Sequence, residues 1–281
     1  MKWKILGAVF AALALMASGA SADYLAGTPS TPSTIYGFQD YRIPNQNNRP
    51  YWDGNSSDSS NPYPATIGNF LTKTGWFATH ENLNSPQLTN PQWWGRNGNS
   101  GLADPNMYFV QTQPYSQVQM LVEVAGLENY NSFGWYYIAG GSPITTEIFS
   151  GLITEPTQAL VHITLPTTEV HNYGFYLGVD SDKDGHINNY YYMQSAYNSS
   201  DKNNQHFAVF RPIPGSNDAQ RFPNTFFIGA EDLPLGSSDR DYNDMVVRVT
   251  NLNVPIPGSL LLLGTGLLGL AGLGWRRRVN G

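Results

Sequence analysis

No cysteine occurs anywhere in the 281 residues. The fold must therefore be stable without disulfides, and a bound metal ion is one substitute staple. Charged residues are few, 13% of the chain. No long stretch keeps a helical hydrophobic period before the C-terminal tail, which argues against a helical protein. Signatures of catalysis are also missing: there is no G-x-S-x-G and no H-E-x-x-H. His80, His162, His171, His186 and His206 show no ligand spacing, and His162 and His206 fall inside strand-like runs, where they read as structural. Acid pairs are plentiful, so a glycosidase-type pair stays open. The expectation is a protein that is not an enzyme.

What the chain has in quantity is Gly (28), Pro (19) and Tyr (17). That composition suits short strands joined by polar loops. Candidate strands are Tyr108–Thr112, Val118–Ala125, Phe133–Ile138, Leu160–Leu165, Tyr173–Val179, Asn189–Met193, His206–Arg211, Thr225–Ala230 and Met245–Thr250. Ile67–Phe77 reads as a hairpin. In Val118–Ala125 the alternation sets Val118, Met120, Val122 and Val124 on one face. The expected fold is all-β, a β-sandwich or jelly-roll-like domain over residues 35–252.

The two ends differ from this body. Lys2 and Lys4, then an apolar run from Ile5 to Met16, then Ala20-Ser21-Ala22 form a signal peptide over residues 1–22, so the mature chain starts at Asp23. Residues 23–34 are rich in Ser, Thr, Pro and Gly and read as a flexible leader. At the other end, Pro255-Ile256-Pro257-Gly258 precedes an uncharged segment, and Arg276-Arg277-Arg278 follows it. Residues 259–275 span about 25 Å as a helix at ~1.5 Å per residue, the short end of what crosses a bilayer. A triple-Arg block stays on the cytoplasmic side. The chain carries 15 basic and 21 acidic residues; losing five basic and no acidic residues with the two ends leaves ten against twenty-one, a net of −11. So acidic a body excludes nucleic-acid binding by phosphate neutralisation and favours cations or neutral partners.

Together the ends resemble the PEP-CTERM class of exported bacterial proteins, with Ile256 where that class has a central Glu. The resemblance covers residues 254–278. It implies an exosortase as the partner that processes the tail, a transient anchor in the inner membrane, and a final place at the cell surface, in the outer envelope or in the extracellular matrix. An ordinary retained anchor is the alternative.

Two acidic runs carry the chemistry. Asp180-Ser181-Asp182-Lys183-Asp184-Gly185 sets carboxylates at alternate positions before a glycine, like the first half of an EF-hand calcium loop. His186 then offers the seventh-position carbonyl and Asn188 the ninth-position side chain, but Tyr191 stands where the twelfth-position acid belongs. A remote carboxylate must finish the shell. The second run is Glu231-Asp232 followed by Asp239-Arg240-Asp241-Tyr242-Asn243-Asp244, between two strands. Extended, it sets Asp239, Asp241 and Asn243 on one face. Hard oxygen ligands of this kind suit Ca²⁺ rather than zinc. The alternative is a hairpin loop whose Asp and Asn side chains cap backbone amides.

Phe227-Ile228-Gly229-Ala230-Glu231-Asp232 and Ser238 to Val246 resemble the signature of a domain of unknown function often joined to PEP-CTERM tails. Tyr173 to Leu177, Tyr190 to Tyr192 and Gln205 to Phe210 resemble the same domain, which extends the likeness to residues 130–250. It implies a β-rich extracellular module with a calcium site at the acidic motif and no established activity.

Aromatic residues are the last feature. Trp93-Trp94 in a Pro/Asn/Gly loop is the best candidate for contact with glycan; Tyr51-Trp52, Trp135 to Tyr137 and Tyr190 to Tyr192 read mainly as core and hairpin residues. The combined expectation is a calcium-stabilised surface protein with a structural or adhesive role, in contact with exopolysaccharide or other surface components. A carbohydrate-binding module and a secreted glycan hydrolase are the alternatives.

Overall fold

The computed structural model describes residues 23–26, 36–37, 66–79, 84–89, 91–94, 107–112, 115–123, 127, 130–150, 158–166, 172–238 and 241–251. All of them belong to one unit, Ala22–Leu252. The strands in chain order are β1 Tyr24–Ala26, β2 Tyr36–Gly37, β3 Pro91–Trp94, β4 Tyr108–Val110, β5 Tyr115–Glu123, β6 Asn131–Ala139, β7 Ser142–Ser150, β8 Gln158–His162, β9 Asn172–Val179, β10 Asn189–Tyr192, β11 Phe207–Pro212, β12 Thr225–Ala230 and β13 Met245–Asn251. One sheet runs β1-β4-β9-β6-β7, with β10 also on β9; the other runs β2-β3-β11-β12-β13-β5-β8. Every described pairing is antiparallel. The described residues are mostly strand in two antiparallel sheets with few helices, consistent with the all-β fold that the composition implies.

Period-2 patterning explains the main core. In β9, Tyr173, Phe175, Leu177 and Val179 point one way, and Gly174, Tyr176 and Gly178 alternate with them. The first set joins Phe133 and Trp135 of β6 in a buried cluster. The second sheet supplies Val118, Met120, Val209, Phe226, Ile228, Val247 and Val249 to the same cluster. Phe109 of β4 meets Phe226 of β12 edge to face at 5.1 Å, tying the two sheets. Burying each such side chain contributes about 1.5–3 kcal/mol. Glycine is required between them: a Cβ on Gly134 would lie 2.4 Å from the Tyr176 ring, and one on Gly174 2.7 Å from the Tyr136 ring.

The second sheet is covered on its other face as well. Ile67, Phe70, Leu71, Phe77 and Leu88 pack on Leu121, Val122, Phe210, Phe227, Tyr242 and Val246. Here the expected hairpin at Ile67–Phe77 is overturned. Ile67–Thr72 forms helix α1, followed by a 3₁₀ turn at Gly75–Ala78. Thr66 caps it by accepting from the Asn69 amide at 3.3 Å, and Lys73 closes it at φ 53. Positions 67, 70 and 71 then share one face, a helical spacing that the apolar run concealed.

Two further expectations change. Leu121 is an extra residue in β5, because Val122 faces Val246 while Met120 faces Val247. This bulge sends Val118 and Met120 to the main core but Val122 to the outer one. The first residues of the expected leader are ordered into the sheet. Tyr24–Ala26 is a strand on β4, and the buried Asp23 carboxylate accepts from the Thr112 amide at 2.5 Å and the Tyr173 hydroxyl at 2.9 Å. The expected signal peptide, the expected sorting motif Pro255 to Gly258 and Arg276 to Arg278 lie outside the described residues, as does segment 259–275. Among the described residues no helix is long and apolar enough to cross a membrane.

Candidate metal centre

β9 ends at Val179 and β10 begins at Asn189, its cross-strand partner, so residues 180–188 form the hairpin connection. Asp180 starts it, buried and fixed by its own amide, which donates to the Tyr130 carbonyl at 2.9 Å. The Asp180 carboxylate then gathers the loop. Oδ1 accepts from the Asp184 amide at 3.1 Å, and Oδ2 from the Gly185 amide at 2.7 Å. Such a tight fold needs left-handed backbone, found at Lys183 (φ 60) and Gly185 (φ 92). The outcome is convergence: one oxygen each from Asp180, Asp182 and Asp184 lies within 4.8 Å of the others. This cluster could hold a metal ion.

Burial opposes the charge on Asp180. The Gly185 amide, a contact with Asp182 and the Asp184 and Lys183 amides outweigh it and hold the carboxyl below its ordinary value. Asp182 and Asp184 are exposed, so the group is open to solvent on one side. His186 donates its amide to Asp184 Oδ1 at 2.9 Å. Asn188 is turned elsewhere: its Oδ1 accepts from the Ser181 amide at 3.1 Å and the Ser181 hydroxyl at 3.0 Å. Tyr191, at the twelfth position, faces inward and stacks on His206 at 3.6 Å.

The second acidic run is folded differently from the extended stretch expected of it. Tyr242 has φ 56, which turns the chain between Asp241 and Asn243. Asp241 accepts from the Asn243 amide at 3.1 Å and its side-chain amide at 2.7 Å. Glu231 accepts from the Tyr242 amide and the Ser238 hydroxyl. These three buried side chains hold the turn that lies over Gly229, where a Cβ would come 2.3 Å from the Tyr242 carbonyl. Asp239 lies outside the described residues.

Asp232 and Asp244 turn to another set of partners. Asp244 accepts from the Asp232 amide at 2.8 Å. The Asn131 side-chain amide donates to Asp232 and to Glu123, at 3.1 Å each. Burial raises the Asp232 carboxyl above its ordinary value, against the hydrogen bonds from Asn131, Asp244 and Leu127. Glu123 and Asn131 went unnoticed in the sequence. Only strand register places them here, with Glu123 opposite Met245 and Asn131 opposite Val179. Among the described residues, no carboxylate of this second set joins the Asp180, Asp182 and Asp184 group.

Asp201 and His206 bind the two regions' surroundings together. The buried His206 ring bonds the Glu231 carbonyl through Nδ1 at 3.1 Å and Asp201 through Nε2 at 3.0 Å. Burial lowers the imidazole to about 4, although both oxygens pull the other way. A neutral ring has a single N–H to share between them. Asp201 is held below its ordinary value despite its own burial, because the Leu235 amide and the Asn204 side chain also donate to it.

Trp93 and Trp94 belong to β3, opposite Phe210 and Val209, rather than to a loop. Tyr190 is exposed, at 38%, with its ring 6.4 Å from Tyr192 and near-parallel to it.

Residues 171–251 match a family described as a domain of unknown function (DUF4114). The match takes in β9 to β13, and so both acidic runs, but not Glu123 or Asn131. No curated protein and no solved structure matches the chain.

Proposed function

We propose that this chain is an exported surface protein whose β-sandwich is stabilised by Ca²⁺ and whose role is structural or adhesive, in the envelope or the exopolysaccharide matrix. The observation that carries the reading is the loop at 180–185. Three carboxylates converge within 4.8 Å, and backbone amides already hold the first of them in place. Carboxylates this close repel unless a cation joins them. Calcium takes six to eight oxygens in flexible geometry. Asp180, Asp182 and Asp184 would supply part of that shell, with the His186 carbonyl and water as further ligands. Asp232 and Asp244 are candidates for a separate ion, with Glu123 beside them. Glu231, Asp241 and Asn243 serve the turn.

Calcium titrated calorimetrically into the wild-type chain should bind, and Asp182→Asn should weaken binding at least tenfold while leaving the far-ultraviolet circular dichroism unchanged. Equal heats for both proteins would sink the loop as the site.

The tail reading rests on Pro255 to Arg278. We propose that an exosortase removes the segment beyond Gly258 after it has paused in the inner membrane. The intact mass of surface-extracted protein should lack residues after about 258. A mass that still includes Arg276 to Arg278 would point to a plain anchor instead.

A further inference from the structure

Most open edges of the two sheets are short. β2 has two residues, β1 three, β10 four and β8 five. Short edges leave few unpaired backbone groups for another chain to use. β7 is the exception. It runs for nine residues, pairs with β6 along one side, and has no strand on its other side among the described residues. Ser142, Ile144, Thr145, Thr146 and Glu147 are exposed, and Ile144 reaches 44%.

Its residues favour pairing. Ile144, Thr145, Thr146 and Ile148 are β-branched, and Glu147 is the single charge. The usual safeguards of an edge, proline and a bulge, sit only toward the ends. Pro143 is the second residue, and Ile148 is the extra residue where Phe133 faces Phe149 but Gly134 faces Glu147. Positions 144 to 147 are left open between them.

The strand is also complementary to itself. In an antiparallel twofold pairing centred on Thr146, Thr146 faces Thr146 of the second copy, Thr145 faces Glu147, and Ile144 faces Ile148. Hydroxyl meets hydroxyl, the lone acid avoids its twin, and Ile144 comes against the bulged Ile148, which is half-buried on the main core. Centring on Glu147 sets two like charges opposite each other, which is destabilising. Centring on Thr145 sets Glu147 against Pro143 and Ile144 against Thr146. We propose that β7 is a homotypic docking edge, through which two copies of this chain join their β1-β4-β9-β6-β7 sheets into one continuous sheet about a twofold axis at Thr146. Such a contact is isologous and closes at two copies.

The cysteine-free chain makes the test clean. Residues directly opposite in an antiparallel pair have Cα atoms about 4.5–5.5 Å apart, within the span of a disulfide. The full chain is produced in cells as Thr146→Cys, Thr145→Cys or Thr164→Cys, all at exposed positions, treated with a mild oxidant and run on a non-reducing gel. Thr146→Cys should give a reductant-sensitive dimer several-fold above the other two. Adding Ile144→Lys, an exposed change that leaves the core untouched, should bring it down to their level. A Thr146→Cys dimer no stronger than that of Thr164→Cys would overturn the proposal. So would a Thr145→Cys dimer of equal strength, since that signals collision without the twofold register.

Discussion

His206 is a buried residue whose ionisation bears on the stability of the fold. The unfolded ring takes its proton near the ordinary value of 6.5, whereas the folded ring resists until about 4. The folded state thus binds fewer protons across that window. Stability present above pH 6.5 should fall as the pH is lowered from about 6.5 toward 4. The lowered carboxyls of Asp180 and Asp201 extend the loss below their ordinary value of 3.8, while the raised Asp232 works in the opposite sense. Melting temperatures at pH 7 and pH 5 check this: wild type should drop, and His206→Gln should drop less. Equal drops would remove His206 from the account. At this scale the sequence was unevenly readable. Asp180 to Gly185 are six consecutive residues, so their spacing alone announces a loop that gathers oxygens. Glu123 and Asn131 reach Asp232 through strand register, and Asp201 and His206, close in sequence, meet Leu235 and Glu231 across the fold; neither arrangement has a pattern within one stretch of sequence.

Among the elements, α1 is the one whose removal should be most selective. Phe70 is fully buried and meets Phe77 edge to face at 5.2 Å. Phe70→Ala should cost about 3–5 kcal/mol, and Thr66→Ala, which deletes the cap, about 1 kcal/mol. Urea unfolding measures both; a loss under 1 kcal/mol for Phe70→Ala would mean that this cover contributes little. The strands buried deepest in the sheets were the most legible. β12 has the bounds read from its pattern, and β9 and β13 differ from theirs by one residue at an end. β7 went unread because it is exposed along most of its length and so has no alternation to show. α1 was misread because five of its six residues are buried, which hides the helical period inside an apolar run. Val122 was assigned to the wrong face because a bulge leaves no mark in composition.

For the molecule as a whole, the defining tension is an acidic body that lacks disulfides. It must hold buried and clustered carboxylates at the ends of its strands. Hydrogen bonds satisfy Glu231 and Asp241 from within the turn. Asp180, Asp182 and Asp184 converge in spite of the amides that Asp180 and Asp184 accept, and a cation bound there would relieve their repulsion. A ligand that binds only the folded state stabilises by RT ln(1 + [L]/Kd). For a site as weak as those of extracellular calcium modules, with Kd on the order of 10⁻⁴ to 10⁻³ M, a few millimolar calcium would be worth about 1–2 kcal/mol. The direct measurement is thermal unfolding of wild type, Asp182→Asn and Asp241→Asn, each in EDTA, in millimolar Mg²⁺ and in millimolar Ca²⁺. Calcium should raise the wild-type melting temperature above both other conditions, and Asp182→Asn should remove most of that gain, any remainder coming from the separate Asp232 and Asp244 pair. Asp241→Asn should melt lower in every condition yet keep the gain. Superimposable wild-type curves in EDTA and calcium would contradict stabilisation of this fold by calcium.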